Sequence, residues 1–123
     1  MADEVSATHA DWSREEVRTP AGRLVRAIRA YQKWKGHGWW AWPLRALWGQ
    51  MVMGANRQCA CEVPPNLQAG GGLMFPHPNG VVIHPAVKIG VNCMIFQKVT
   101  LGEGGRKPGV PVLGGHVAVG AGA

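Results

Sequence analysis

Long hydrophobic runs are missing from this 123-residue sequence, and its cysteines are few. The longest apolar stretch covers residues 39–44, far short of the roughly 20 residues that a membrane-spanning helix needs. The three cysteines are an odd number, which argues against a disulfide framework. No basic-then-apolar signal opens the chain, because residues 1–10 are polar and acidic. Together these absences predict a protein of the reducing cytoplasm.

The cysteine spacing also gives no sign of a metal or redox motif. Cys59 and Cys61 are separated by one residue, whereas zinc and redox motifs use a two-residue spacer. Cys93 falls within the repeat described below, which indicates a small buried apolar side chain. We therefore expect no metal.

Acidic residues become rare after the first sixteen positions. Beyond Glu16 the sequence holds only Glu62 and Glu103, and the formal net charge is +6. A basic balance suits a polyanionic partner, such as a phosphate-rich cofactor, a membrane surface or a nucleic acid. A solvated helix face explains the early basic cluster equally well.

The second half of the chain has a six-residue repeat of aliphatic or small residues. One series is Val63, Ala69, Phe75, Val81, Val87, Cys93 and Val99, and the other is Ile83, Ile89, Ile95, Leu101, Leu113 and Val119. A period of six fits neither an isolated helix nor an isolated strand pair. It is typical of a parallel β-helix, in which three hexapeptides make one coil of about 18 residues.

These patterns divide the chain into three parts. Residues 1–11 are expected to form a flexible tail, residues 12–58 a helical segment, and residues 59–123 a β-helix domain. The sequence ends in mid-repeat without the cap that a solenoid needs, so an incomplete C-terminus is predicted. The fold class is therefore mainly β, with short α-helices before a parallel β-helix.

The helical segment predicts two helices and carries most of the tryptophan. The first helix is amphipathic over residues 21–35, and the second opens at Pro43. The second places four apolar residues on one face: Leu44, Leu47, Trp48 and Met51. Packing of the helices on each other, on the β-helix or on another subunit explains the tryptophans. The alternative is contact with a membrane surface, because aromatic residues beside basic ones suit lipid headgroups.

Two features of the repeat region are candidates for function. Residues 103–109 interrupt the repeat and predict a polar loop at one corner. His77 occupies a repeat position that aliphatic residues fill elsewhere.

The sequence around His77 resembles the serine O-acetyltransferase family of hexapeptide-repeat acyltransferases. The matching text is HPNGVVI at 77–83, AVKIGVNC at 86–93 and IFQKVTLG at 95–102. The resemblance implies a left-handed parallel β-helix, a homotrimer or higher homo-oligomer, acetyl-CoA as donor and a small-molecule hydroxyl acceptor. The family also includes polysaccharide-associated members, which acetylate sugar hydroxyls.

The resemblance assigns catalytic roles to two residues. His77 matches the family's general base, and an imidazole can take the proton that a hydroxyl loses as it attacks a thioester. Glu62 matches the carboxylate, usually an aspartate, that orients this base. A surface acid at the start of the β-helix is the other reading of Glu62.

The chain departs from the serine-specific pattern at two places. The family's loop ends in Arg-His-Pro, but here Gly109 and Val110 precede the proline. An acid often precedes the catalytic histidine, but here that residue is Pro76. Both differences favour a sugar hydroxyl over L-serine, whereas the family resemblance favours serine.

The remaining candidate residues concern charged groups and the donor. Arg106 and Lys107 are candidate anion contacts to a substrate or to the phosphates of CoA. Small residues that loosely match acetyl-CoA contacts in the family are Gly102, Gly114, Ala121 and Gly122.

Two other functional classes remain open. A zinc enzyme of the carbonic-anhydrase β-helix kind needs three converging histidines, which His77, His84 and His116 supply in number. A non-catalytic β-helix that acts as an assembly module is the other alternative.

Overall fold

A computed structural model of the chain describes residues 5–123. A 3-10 helix at Trp12–Arg14 precedes helix α1 (Pro20–Lys35), and a second 3-10 helix at Trp39–Ala41 precedes helix α2 (Trp42–Cys59). Seven two-residue strands follow: β1 (Gln68–Ala69), β2 (Val82–Ile83), β3 (Lys88–Ile89), β4 (Met94–Ile95), β5 (Thr100–Leu101), β6 (Val112–Leu113) and β7 (Ala118–Val119). The predicted order, helices first and then short repeated strands, is confirmed.

All strand pairs are parallel, and they form three sheets. Sheet A contains β2 and β5, sheet B contains β1, β3 and β6, and sheet C contains β4 and β7. Single bridges from Glu62 to Val82 and from Met74 to Met94 extend sheets A and C back into the first coil. The chain therefore visits sheets A, B and C in turn, once per coil.

The coils depart from the expected three-hexapeptide length at two places. Val82 pairs with Thr100, which is the expected step, but the pairing of Glu62 with Val82 makes the first coil longer by two residues. The added length lies between sheet C and sheet A, and it includes His77. A second insertion lies between sheets A and B, where the loop at 103–109 displaces the partner of Lys88 to Val112, one hexapeptide beyond the regular register. That loop was predicted.

Both apolar series of the sequence point into the coils. Val81, Val87, Cys93 and Val99 are fully buried, as are Ile83, Ile89, Ile95 and Leu101 within a few per cent. The series do not run straight through, however. Because Glu62 aligns with Val82, Val63 is the equivalent of Ile83 and not of Val81. The register of both six-residue series therefore shifts by two residues near His77. His77 itself is exposed and lies outside the core.

Helix α1 covers the open end of the first coil. Thr19 caps it, with its hydroxyl accepting a hydrogen bond from Gly22 N, and Pro20 occupies the first turn. Its apolar face is buried, and its polar face reaches backbone carbonyls of the coil. Arg29 donates to the carbonyls of Ala69 and Gly70. These bonds satisfy backbone acceptors at the open end of the first coil.

Helix α2 packs on α1 and leads the chain into the first coil. It ends at Ala60 in the left-handed conformation (φ 53°), and Asn56 both donates to Val63 O and accepts from Val63 N. The face expected from the sequence is wrong. Val52 and Cys59 are buried instead, Trp48 is half-buried, and three of the four expected residues are exposed: Leu44, Leu47 and Met51.

Residues 5–12 lie against the corner between sheets B and C. Asn92 is buried there, accepts from Asp11 N, and donates to the carbonyls of Ser6 and His9. A Cβ on Gly115 would overlap Ala7, which shows how closely this segment approaches the coil. The expected flexible tail at 1–11 thus includes residues held by the coils. Residues 1–4 of that tail lie outside the described residues.

Candidate active site

His77 lies at the corner that joins sheet C to sheet A, which we call the C–A corner (residues 76–80, 96–98 and 120–122). Backbone hydrogen bonds join the three segments of this corner: Lys98 N donates to Asn79 O, and Gly122 N donates to Gln97 O. The first coil has two extra residues at this corner, so its backbone bulges outward there. The result is an exposed imidazole on a backbone that is hydrogen-bonded to the coil below.

The His77 bulge faces the start of helix α1 across a cavity of about 320 Å³. One wall is formed by residues 73–79, and the other by residues 14–16 and the first turns of the helix. The volume lies at the lower end of the range for small-molecule sites. The structure thus brings the predicted base to the wall of a cleft that a small acceptor can enter.

Sequence reasoning missed the helical wall of this cleft. Glu16, Thr19 and Gln58 contribute polar groups to it. Glu15 and Arg14 also line it, but both are engaged. Glu15 pairs with Arg29, and Arg14 donates to the carbonyls of Gly72 and Asn92. The Thr19-Pro20 pair is a sequence signal for a helix start. What the sequence could not give was the position of that start opposite His77.

Glu62 lies on sheet A in the first coil, where it pairs with Val82 of the second coil. Both of its backbone polar groups bond to the next coil, because Glu62 N donates to Val81 O and Ile83 N donates to Glu62 O. Its side chain is exposed. Within residues 5–123, no hydrogen bond or ion pair joins the side chains of Glu62 and His77. Glu62 lines a neighbouring groove with Cys61 and Val81. The predicted base–carboxylate pair is therefore not formed in this structure.

The candidate donor-site residues lie at three different corners. Ala121 and Gly122 share the C–A corner with His77, two coils further along. Gly102 follows β5 at the corner between sheets A and B, and Gly114 follows β6 at the next corner. A Cβ at Gly102 or Gly114 would meet no atom of residues 5–123 within 4 Å, so packing among these residues requires neither glycine.

Arg106 and Lys107 lie in the exposed loop between sheets A and B, where Gly105 and Gly109 adopt positive φ. This loop leaves a different corner from the one that carries His77. Within a single chain, His77 and the loop that carries Arg106 and Lys107 are therefore apart.

The cysteine thiols near the cleft are buried. Cys59 lines the cleft, and burial raises the pKa of its thiol. Burial, reinforced by the neighbouring Cys59, raises the pKa of Cys61 to about 12. Both thiols are therefore protonated and poorly nucleophilic at neutral pH. They offer no alternative nucleophile to an acceptor hydroxyl.

The three histidines of the zinc alternative do not converge. His84 accepts from Ala86 N within its own turn, and His116 is exposed at a left-handed corner position. Across the described part of the chain, no three His, Cys, Asp or Glu side chains are grouped so that they could hold a metal ion.

Comparison with known proteins points to one family. A serine acetyltransferase of Synechococcus elongatus is 42% identical over 64 residues, which are 50% of this chain and 26% of that protein. One of Helicobacter pylori is 44% identical over 64 residues, 50% of this chain and 37% of that protein. No protein-family model matches the chain.

A solved structure agrees with the sequence relatives. The serine acetyltransferase 1 of Entamoeba histolytica, solved in complex with L-cysteine, has a TM-score of 0.58 and 26% identity, and the match covers 81% of this chain and 39% of that one. The chain spans about a quarter to two fifths of the length of these proteins. Over the matched part, this chain is similar to the serine acetyltransferases, and the resemblance to the serine O-acetyltransferase family seen in its sequence is confirmed.

Proposed function

We propose that this chain is part of an acetyl-CoA-dependent O-acetyltransferase in which His77 is the general base. The observation that carries the proposal is the position of His77. It lies on an outward bulge at the wall of a cleft, within a chain similar to serine acetyltransferases over 64 residues. In this proposal the coils form a left-handed β-helix, and the protein is cytoplasmic.

The reaction assigned to the cleft is acyl transfer. His77 takes the proton of the acceptor hydroxyl as its oxygen attacks the thioester carbon. The new C–O bond forms, the C–S bond breaks, and the proton passes from the imidazolium to the sulfur of CoA. Acetyl-CoA supplies the activated acetyl group when bound. The chain's own residues orient the acceptor and move the proton.

Glu62 is proposed as a positioning residue for His77. Its place on the adjoining sheet supports this role, but its side chain makes no bond to the imidazole in the structure. In the proposal, the carboxylate turns toward His77 when the cleft is occupied, and stabilises the imidazolium that forms.

A second copy of the chain is proposed to complete the site. His77 and the loop with Arg106 and Lys107 are at different corners of the coil, so they meet most simply across an interface between copies. A homotrimer, as the family resemblance implies, has such an interface beside each C–A corner. In this arrangement Ala121 and Gly122 border the donor groove, and the loop supplies cationic contacts to phosphate or substrate.

The acceptor is proposed to be a small molecule with a hydroxyl group. The two candidates are L-serine and a sugar, and different observations favour each. The names of the relatives favour L-serine. The cleft favours a sugar hydroxyl, because among the described residues Arg14 is the only Arg or Lys that lines it, and its guanidinium is already bonded to two carbonyls. The carboxylate of serine would therefore lack an uncommitted cation within one chain.

The experiment that tests the proposal measures release of free CoA thiol from acetyl-CoA by the purified protein, with L-serine and with sugar acceptors in parallel. We expect acceptor-dependent release that falls at least about 100-fold in His77→Ala. His84→Ala is the matched control, since His84 is also exposed on the coils but lies outside the cleft. If neither acceptor gives release and the protein also fails to bind CoA, the result would argue for a non-catalytic assembly module.

A further inference from the structure

An unusually apolar surface lies on the helical part, and none of its residues lines the cleft beside His77. We call it the tryptophan ridge, and its members are Trp39, Trp40, Trp42, Leu44, Leu47 and Met51. All are exposed, and Trp39 has 86% of its surface open. Single exposed apolar residues are ordinary, but a run of large ones so close together in the chain forms a patch that indicates a binding surface.

The local structure explains why the ridge faces outward. Helix α2 turns its Val52 and Cys59 side toward α1 and the first coil. Successive residues of a helix are rotated by about 100°, so Leu47 and Gly54 fall on the side opposite that buried stripe. Trp39 and Trp40 belong to the 3-10 turn that enters α2. Nothing in the described residues covers this side of the helix.

The charge around the ridge has one sign. Residues 17–61 contain no Asp or Glu, and their basic residues are Arg18, Arg23, Arg26, Arg29, Lys33, Lys35, Arg45 and Arg57. Arg29 is paired with Glu15, but the other seven are exposed. Lys33 and Lys35 are at the end of α1 just before the ridge, and Lys33 lies over the ring of Trp34, which contacts Trp40. The surface is thus apolar and cationic together.

This combination argues against a second copy as the occupant. An isologous contact would bring the same patch of each copy together. The cations of one copy would then face those of the other, with no acid between positions 17 and 61 to neutralise them. Like charges brought into an interface oppose association.

An anionic lipid surface fits both properties. Tryptophan is favoured at the headgroup level of a bilayer, and each Lys or Arg near an anionic leaflet adds to binding. In the part that the structure describes, no helix is long and apolar enough to cross a bilayer. We propose that the tryptophan ridge docks peripherally on membranes that contain anionic lipid. Apolar side chains enter the interface, and the flanking cations contact lipid phosphates.

Vesicle co-sedimentation tests the proposal with the purified protein. Vesicles of phosphatidylcholine alone are compared with vesicles that contain about 30% phosphatidylglycerol, at low and high salt. We expect binding to the anionic vesicles that weakens with salt, and a blue shift of tryptophan emission. The double variant Trp39→Ser, Trp42→Ser should lower binding by about tenfold or more, and Lys33→Glu by about tenfold.

Matched controls come from the β-helix. Val112→Ser removes an equally exposed apolar residue, and Lys88→Glu reverses an exposed charge on sheet B. Both should bind like the parent protein, and circular dichroism should show every variant folded. Absence of binding to anionic vesicles would overturn the proposal, as would an equal loss in the controls. Concentration-dependent self-association that the tryptophan variant abolishes, without vesicle binding, would assign the ridge to a second copy.

Discussion

Glu15 and Arg29 form an ion pair that ties the N-terminal segment, helix α1 and the first coil to one another. Arg29 Nη2 lies 2.9 Å from Glu15 Oε2, and both side chains are largely buried. Arg29 also donates to the carbonyl of Ala69, and Glu15 accepts from Gly72 N. This cluster holds the start of α1 opposite His77, so it shapes the cleft.

Replacing Arg29 should therefore destabilise the protein more than replacing an exposed arginine of the same helix. Arg29→Met leaves Glu15 charged and two backbone carbonyls without their donor. We expect a loss of about 2 kcal/mol in the free energy of unfolding, measured by urea denaturation. Arg26→Met is the control, because Arg26 is exposed on the same helix and has no bonded partner among the described residues. Equal stability of the two variants would contradict a structural role for the pair.

Asn92 should be a second point of attachment for the N-terminal segment. Its side chain makes three hydrogen bonds to residues 6–11, and its backbone has a φ of 56°. We expect Asn92→Ala to cost about 2 kcal/mol or more, from unpaired backbone groups and from left-handed strain. Asn92→Gly removes the bonds without the strain, so the difference between the two variants isolates the conformational part.

Hydrogen exchange provides the direct readout for Asn92. The amide of Asp11 donates to the Asn92 side chain, so its exchange should accelerate in both variants. Lys98→Gly is the control, because Lys98 also has a positive φ but its side chain holds no segment in place. Unchanged protection of Asp11 in Asn92→Gly would show that other contacts fix residues 5–12.

Periodicity gave the coils reliably because each buried position repeats the same physical demand. Val81, Val87 and Val99 face the same narrow interior, so their spacing alone indicated the β-helix. The two-residue shift in register at His77 could not be predicted from the sequence. The residues before and after each outward-facing strand residue are both apolar. A shift of two residues therefore moves one series onto the other, and the sequence pattern shows no gap.

The helical part was predictable in type but not in orientation. The apolar spacing of Leu44, Leu47 and Met51 indicated a packed face, yet these residues are exposed. The buried side is set by Asn56 and Cys59, which must meet the first coil where the chain enters it. Tertiary contact overrode local pattern there. The cleft opposite His77 was equally beyond the sequence, because it joins segments that are far apart in the chain.

Glu62 should act on the rate of acetyl transfer and not on the fold. With an acceptor that turns over, Glu62→Gln is expected to lower kcat by roughly 10- to 100-fold with little change in KM, since the carboxylate is assigned to the transition state. Glu62→Asp should recover most of the activity, because it restores the charge. Glu103→Gln, an exposed acid of the loop, is the control. A rate unaffected by Glu62→Gln would leave Glu62 as a surface acid of sheet A.

Cys61 should make stability depend on pH in the alkaline range. Burial raises the pKa of its thiol from 9.0 to about 12, so the fold favours the protonated form. The resulting stabilisation is fully present below pH 9 and is lost as the pH rises toward 12. The comparison is with Cys61→Ala, so that contributions from all other groups cancel. The variant should show a smaller loss of unfolding free energy between about pH 9 and pH 11, measured by urea denaturation. Parallel curves for the two proteins would mean that the Cys61 thiolate is accommodated in the folded state, through water that reaches the groove beside Glu62.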